Sequence, residues 1–489
     1  MVKTNRMLIF ISILLTLSIL VACEAPEDNG VDENGEAEAP QEEENVMDTD
    51  VLVVGGGGAG LAAAIEASEE GASVVLVEKL GMLGGSTSLS GGILHASESP
   101  VQERAGIEEP WEDFADYWME MSEGNADEEM INYIARNSGE TIAWLEERGV
   151  VFQEDLTAEG ISPAQRGHHA EDGGFGITRP LEEVAEDLGV EIILNTTVTE
   201  LILEDDGTVI GAVGENGNGQ TFTFNAEAVI LATGGFDQNE EMIEEYAPVA
   251  SGQFSYAASG NVGDGLRMAE EAGADIVAPN GVIGFRGVDP SVSYRGELGG
   301  LVFAPNLYVD ESGQRFMNEA DYYALMYEAM VENESEEFYS IFSGEVPEEI
   351  LDEGVEEGYA VSAESFEELA EAIGVPEENF LNTIERFNEL VEIGEDEDYG
   401  NPAIAEIEEN NLYALTVHPA TLSSFGGPRV NLQGEVLDSE GNHIGGLYAA
   451  GDVANGQLYD SVYPASGTCI TSVLVMGREA GKTAAMSVE

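Results

Sequence analysis

Six residues, Gly55-Gly56-Gly57-Gly58-Ala59-Gly60, constrain the fold more than any others in the chain. They follow a short apolar β-run, Asp50-Val51-Leu52-Val53-Val54, and open a helical stretch from Leu61 to Glu69. In that setting the glycines at 55, 57 and 60 satisfy G-x-G-x-x-G, and each has its own task. Gly55 permits a tight turn, Gly57 lets backbone approach a pyrophosphate, and Gly60 lets the helix pack on the strand, with the helix N-terminus facing the phosphates. A second strand, Ala72 to Val77, ends in Glu78, 18 residues after Gly60. A carboxylate there can hydrogen-bond a ribose hydroxyl and disfavours a 2′-phosphate. Strand, glycine turn, helix, strand and acid together predict a dinucleotide-binding βαβ unit, whereas a merely structural glycine turn would need only the first of them.

The 489 residues leave room for two or three domains and a large apolar core. A hydrophobic content of 43% and 59 glycines without a collagen period read as globular and loop-rich. Charge sets the chain apart. Asp plus Glu number 97 against 16 Lys plus Arg, a net charge of −81, and the lysines are only Lys3, Lys79 and Lys482. Such a field repels phosphate backbones and anionic headgroups, which excludes nucleic-acid binding. The carboxylates are spread along the whole chain, so one acidic ligand or metal does not explain them. They suit a protein working in high salt, where screening quenches self-repulsion, and a halophile's protein is expected.

The N-terminus reads as an export signal. Lys3 and Arg6 precede an apolar run from Met7 to Leu20, and Leu20-Val21-Ala22-Cys23 follows. The run is short for a membrane span, and the ending resembles the bacterial lipoprotein box, in which the cysteine is diacylated. The competing reading is an ordinary signal peptide with an incidental cysteine. Residues 24 to 47 hold many acids and almost no large apolar group, so they predict a self-repelling disordered tether. With Cys23 lipidated, Cys469 has no disulfide partner.

Further blocks decide which dinucleotide is bound. Gly84-Gly85-Ser86-Thr87-Ser88-Leu89-Ser90-Gly91-Gly92 is a small-residue segment suited to lie against a long ligand. Two more strands end at glycines, Ala228 to Leu231 before Ala232-Thr233-Gly234-Gly235, and Gly446 to Ala450 before Gly451-Asp452. This set, in this order, resembles the FAD-dependent family of fumarate reductase, succinate dehydrogenase flavoprotein, urocanate reductase and the ketosteroid dehydrogenases, over residues 48 to 486. The resemblance implies an α/β fold: a Rossmann-like FAD-binding domain of the glutathione-reductase type, interrupted by an inserted α+β capping domain. The expected divisions are a lipoprotein signal peptide at 1–22, a tether at 23–47, the FAD-binding domain at 48–279 and 418–489, and the cap at 280–417.

Carried over position by position, the resemblance implies that Gly55, Gly57, Gly60, Glu78 and Lys79 hold the ADP half of FAD. Gly85, Ser86, Thr87, Gly91 and Gly92 would run past the pyrophosphate and the isoalloxazine, Val198 would meet adenine, and Thr233, Gly234, Asp264 and Asp452 would complete the site. Taken singly, Asp264 and Asp452 would serve equally as turn formers. Cys469 and Ile470, opening the last helix, resemble the backbone pair at the flavin's pyrimidine edge, where a helix N-terminus favours negative charge. No histidine stands at Ser86 to Ser88, so the FAD is expected to be non-covalent, and no haem motif is present, so electrons must pass through a separate donor or acceptor, a membrane carrier or a cytochrome. No cluster of metal-ligand spacing is present, so no metal is expected; His168 and His169 are adjacent and point apart.

Within the cap, Gly313-Gln314-Arg315-Phe316-Met317-Asn318-Glu319 is similar to the family's G-x-R-F-x-N-E, which implies Arg315 as proton donor to an activated C=C that receives a hydride from flavin N5. The competing reading is an i,i+4 pair between Arg315 and Glu319. Departures from the fumarate reductases are as informative. Their histidine before the second Gly-Gly is replaced by Leu422 and Ser423, with His418 displaced as a substrate-binding candidate, and their Asn-Arg clamp is replaced by Val462-Tyr463-Pro464-Ala465-Ser466-Gly467. The latter resembles the ketosteroid dehydrogenases, in which a tyrosine and a glycine N–H, here Tyr463 and Gly467, polarise a ketone, and Tyr323 extends the likeness. Buried tyrosines with satisfied hydroxyls are the alternative. Arg286 and Arg295 are candidate carboxylate anchors, against surface ion pairs. The expected activity is thus FAD-dependent oxidoreduction of CH–CH groups, as reduction of an activated C=C of an unsaturated carboxylate or enone by hydride from flavin N5, on the extracytoplasmic membrane face or in the periplasm. The rivals are a cyclic-ketone dehydrogenase using Tyr463 and Tyr323, and a non-catalytic FAD-binding electron-transfer or solute-binding lipoprotein.

Overall fold

The run Val51 to Val54 has no polar face to turn to water, and it lies at the centre of a sheet, covered on both sides. The computed structural model describes residues 45–333 and 335–488. The expected signal segment, Cys23 and all but the end of the tether lie outside the described residues. The elements that build the site are, in chain order, β1 (Asn45–Val54), α1 (Gly58–Glu69), β2 (Val74–Val77), β3 (Glu191–Ile193), β4 (Thr221–Leu231), α2 (Asp264–Glu271), β5 (Ile276–Gly287), α3 (Tyr323–Asn333), β6 (Leu412–Pro428), β7 (His443–Ala449) and α4 (Thr468–Ser487).

The main sheet runs β7-β4-β1-β2-β3, all parallel, with Glu435–Leu437 antiparallel at the β7 edge. A parallel core sheet needs cover on both faces. α1 is Ala-rich and buried from Gly58 to Ile65, packed against α4. β1 begins earlier than expected. Asn45, Val46 and Met47 pair with Phe222, Thr223 and Phe224, so the last three residues assigned to a tether are strand, because β4 offers them an open edge.

A second sheet is organised on β6, which is 17 residues long. It pairs antiparallel with β5, with Phe338–Phe342 and with Ala360–Ala363. The apolar layers around Phe338, Leu415 and Val417 and around Phe380, Ile384 and Phe387 give this lobe cores of its own. The segment edges expected at 279/280 and 417/418 fall inside β5 and β6. Continuous strands, rather than flexible linkers, therefore join the lobe to the main sheet. Among the described residues no helix is long and apolar enough to cross a membrane, and no group of three or more His, Cys, Asp or Glu side chains converges as a metal site.

Candidate active site

The carboxyl ends of β1, β2 and β4 open onto one groove, the usual ligand position of an open α/β sheet. Gly55 has φ +108° and a Cβ there would stand 2.3 Å from the Ala232 carbonyl oxygen; a Cβ on Gly60 would stand 1.9 Å from that of Gly55. Both contacts are with backbone and cannot relax. Around Gly57 a Cβ would meet nothing within 4 Å, so this residue faces the groove while Gly60 lies beneath it.

Glu78 sits at the tip of β2, buried, accepting from Gly56 N–H at 2.7 Å and Leu80 N–H at 2.8 Å. Lys79 makes a 2.6 Å ion pair with Asp264 at the start of α2. Gly55, Gly57, Glu78, Lys79, Gly85, Ser86, Thr87, Val198, Thr233, Gly234, Asp264 and Asp452 all line this groove. Its chemistry suits FAD. The glycine turn presents backbone where a pyrophosphate can approach, Glu78 offers acceptors to a ribose, and Thr233 Oγ1 is buried in the groove wall without a partner. When bound, FAD would supply the hydride chemistry.

Ser86, Thr87, Asp452 and Val473 line both this groove and a second cavity of about 670 Å³ beneath the cap. Gly91, Gly92, Tyr323, Tyr463, Gly467, Cys469 and Ile470 line that cavity. Tyr323, the first residue of α3, and Tyr463, ahead of α4, have ring centroids 6.5 Å apart. Gly467 caps α4 at φ +93°, and a Cβ there would meet the backbone of Ile93 to His95 at 2.8 Å. This close approach fixes where the helix begins.

The hydrogen bonds at this junction are specific. Cys469 N–H donates to Tyr463 Oη at 2.8 Å, and the Cys469 thiol donates to Asp452 at 3.1 Å. The Cys469 amide is therefore engaged by Tyr463 and is not open to a flavin edge as expected, because Tyr463 folds back onto the first turn of α4. Since Tyr463 Oη accepts that bond, its own hydrogen is available to a ligand. Burial pushes the Tyr463 and Tyr323 phenols well above their ordinary pKa, so both keep their protons at neutral pH. Burial likewise pushes up the Cys469 thiol, with Asp452 adding to the effect.

Three candidates fall outside the cavity: Arg295, which is exposed and donates Nη1 to the Ser90 carbonyl at 2.6 Å, Arg315 and His418. Arg315 donates to both oxygens of Glu319 at 2.8 and 2.7 Å and to both of Asp396 at 3.1 and 2.7 Å. The i,i+4 pair is thus formed, a second carboxylate closes on its other side, and Arg315 lines a separate cleft with Asn379, Thr383 and Tyr399. Burial alone would lower its pKa, but Glu319 and Asp396 together raise it beyond the ordinary value. Only Glu319 reaches the large cavity. The guanidinium is thus held by two carboxylates, braces Glu319 and does not itself line the cavity. His418 also misses the cavity. It sits in β6 opposite Gly287, with Nδ1 3.2 Å from the Glu336 carbonyl, because β6 turns it toward the rim of the cap.

Other residues joined the site without a sequence signal strong enough to single them out. Asn261 Nδ2 donates to Ser86 Oγ at 3.2 Å and Asp237 at 3.4 Å. Ser423 and Ser424 bind Asp452 and Asp237 at 2.9 and 3.2 Å. Tyr256, Phe285, Tyr294, Phe303 and Tyr322 add an aromatic wall. The Tyr322 hydroxyl has no well-formed hydrogen bond, although its ring centroid is 4.4 Å from that of Tyr323.

Comparison with known proteins agrees with this geometry. Residues 50–470 match the family model of the FAD binding domain. The chain is 31% identical over 450 residues to NADH:fumarate oxidoreductase of Klebsiella pneumoniae, with 89% of this chain and 47% of that one covered, so it spans about half that relative's length. It is 32% identical over 474 residues to urocanate reductase of Eggerthella lenta, covering 92% of this chain and 77% of that one. A 3-ketosteroid-Δ4-(5α)-dehydrogenase from Rhodococcus jostii RHA1, solved with 4-androstene-3,17-dione, aligns with a TM-score of 0.73 at 28% identity, over 91% of this chain and 99% of that one. The chain belongs to the FAD-binding family that includes the fumarate and urocanate reductases and ketosteroid dehydrogenases, and it is an FAD-dependent oxidoreductase.

Proposed function

We propose that the protein reduces a C=C bond conjugated to a carbonyl, with Tyr463 and Gly467 binding the carbonyl oxygen and Tyr323 delivering the proton. The observation that carries this reading is the state of the two phenols. Both line the cavity, both are held protonated by burial, and Tyr463 Oη accepts from Cys469 N–H and so has its hydrogen free to donate. A phenol that holds its proton polarises a carbonyl and protonates the carbon beside it; it serves poorly as the base that a dehydrogenation requires. The cyclic-ketone dehydrogenase, which would use the same residues in reverse, is for that reason the second reading. Arg315, engaged by two carboxylates, is left with a structural part.

A urocanate reductase is among the relatives, in keeping with the reductive direction. Electrons would come from a separate donor, a membrane carrier or a cytochrome, and the protein would work outside the cytoplasm in a salty medium, tethered through Cys23. The test is anaerobic photoreduction of the FAD-loaded protein followed by mixing with fumarate, urocanate, cinnamate and cyclic enones. Tyr463→Phe should retain the flavin spectrum and lower kcat/KM by about 10²- to 10⁴-fold for whichever compound reoxidises the wild type. Unchanged turnover in that variant removes the mechanism.

A further inference from the structure

Most lysines and arginines among the described residues lie beside a carboxylate. Among the described residues Lys79, Arg104, Arg148, Arg166, Arg179, Arg315, Arg386, Arg429 and Arg478 each lie within ion-pair distance of one. Of the two arginines that are fully buried as residues, Arg166 is bound by Glu109. Arg286 is not bound by any acid. It is 4% exposed, its Nε donates to the Val302 carbonyl at 2.9 Å and to Tyr308 Oη at 3.3 Å, and Nη1 is buried with no partner at all. In a sequence with 97 acids, a buried guanidinium without a carboxylate is the exception.

Arg286 lines the large cavity, where it is the one basic residue among the described residues. The acids that share the wall have partners of their own. Glu319 is held by Arg315 and by Asn401 at 2.9 Å, Glu159 by Thr157 at 2.7 Å, Asp321 by Asn318 at 3.0 Å, and Asp452 by Ser423 and Cys469. Around Arg286 the wall is aromatic: Phe303 lies 5.8 Å beneath the guanidinium, and Phe285, Tyr294 and Tyr323 form a contiguous set at centroid spacings of 5.2 and 5.6 Å. A buried cation with unused donors in an apolar enclosure is incomplete until an anion arrives.

We infer that Arg286 binds the carboxylate of the substrate, so that the substrate class is an unsaturated acid with an aromatic or alicyclic body. Neutral cyclic ketones are disfavoured. This rests on the reading of the cavity as the reductase's substrate site and narrows it. The aromatic wall receives the ring, Arg286 takes one oxygen of the carboxylate while Tyr463 and Gly467 take the other, and Tyr323 faces the conjugated C=C.

The experiment separates binding from turnover. Oxidised FAD-loaded protein is titrated calorimetrically with 3-phenylpropionate, a saturated acid that cannot react by reduction, and with its methyl ester. The photoreduced protein is then mixed with cinnamate, methyl cinnamate and cyclohexenone. Binding of the acid about tenfold to a hundredfold tighter than the ester, the range for a hydrogen bond to a charged group, is expected. Arg286→Gln should abolish that preference and Arg286→Lys should restore part of it, with the flavin spectrum retained in both. Equal binding of acid and ester by the wild type overturns the inference even if no variant folds. Reoxidation by cyclohexenone without any binding of 3-phenylpropionate also overturns it, while leaving the reductase reading in place. Acid binding that depends on Arg286, with no C=C compound reoxidising the flavin, supports the anchor and removes the reductase reading.

Discussion

The groove and the cavity meet at Asp452 and Ser86, yet they are built by different means. The groove is made of backbone: two glycines without room for a methyl group, strand ends, and amides held by Glu78. The cavity is made of side chains brought from β5, α3, β6 and the turn before α4. A backbone site tolerates few substitutions and binds the same phosphates in many proteins, whereas a side-chain site can be rebuilt for a new substrate without touching the cofactor. If that contrast is right, changes in the groove should destroy cofactor binding outright, and changes in the cavity should spare it.

The largest effect is expected from Gly60→Ala. The new methyl group would stand 1.9 Å from the Gly55 carbonyl oxygen, a backbone atom, so either the turn opens or α1 leaves the sheet. The purified variant should be colourless and take up no FAD, or fail to fold; normal flavin content would break the comparison at its strongest point.

Next is Arg315→Ala, which tests whether the arginine is a brace. The Glu319 and Asp396 side chains are both completely enclosed, and removing their shared partner leaves two buried charges, a loss of about 3–5 kcal/mol. Asp396 is at present held down at about 2: burial works to raise it, but Arg315 and the Asn401 and Tyr399 amides outweigh that. Without Arg315 burial prevails, so the carboxyl accepts a proton more readily and the deficit should shrink as the pH falls toward 4. Urea melts at pH 4 and 7 read this directly. The FAD spectrum should survive, and kcat should fall far less than in Tyr463→Phe. A fall as large, without loss of stability, would return Arg315 to the chemistry.

The same contrast explains what could be read from the residues in order. Gly55 to Gly60, Glu78 and the small-residue run at 84–92 are local patterns whose meaning depends only on neighbours in the chain, and the sheet and cofactor groove follow from them. Tyr463 and Gly467 also form a local pattern, since both lie just ahead of one helix, and both line the cavity. The surroundings of Arg315 were not legible, because its motif does not say what closes on it: Asp396 comes from 81 positions away. Tyr256 and Tyr294 carry no local signal. Arg286 and Arg295 stood level as carboxylate-anchor candidates, and only the fold, which buries Arg286 in the cavity wall with no acid beside it, separates them.

The smallest effect should come from Asp237, close to the seam between the two regions. Its carboxyl is buried, with Oδ1 unpartnered and Oδ2 bound by Ser424. Burial first, and then the charge of nearby Asp452, push its pKa up to about 7, against the pull of Asn261 and Ser424. An acid whose pKa is raised on folding holds a proton in the native state that the unfolded chain has already released. Stability is therefore lost as the pH climbs from the ordinary carboxylate range to about 7, and changes no further above it. Asp237→Asn removes the ionisation and keeps an acceptor for Ser424. The variant should match the wild type near pH 4 and exceed it above pH 7 by at most a few kcal/mol, with the gap opening between those limits in melts of the FAD-free chain. A gap independent of pH would mean that the carboxyl ionises in place. The seam where groove and cavity meet would then tolerate a charge as the outer surface does.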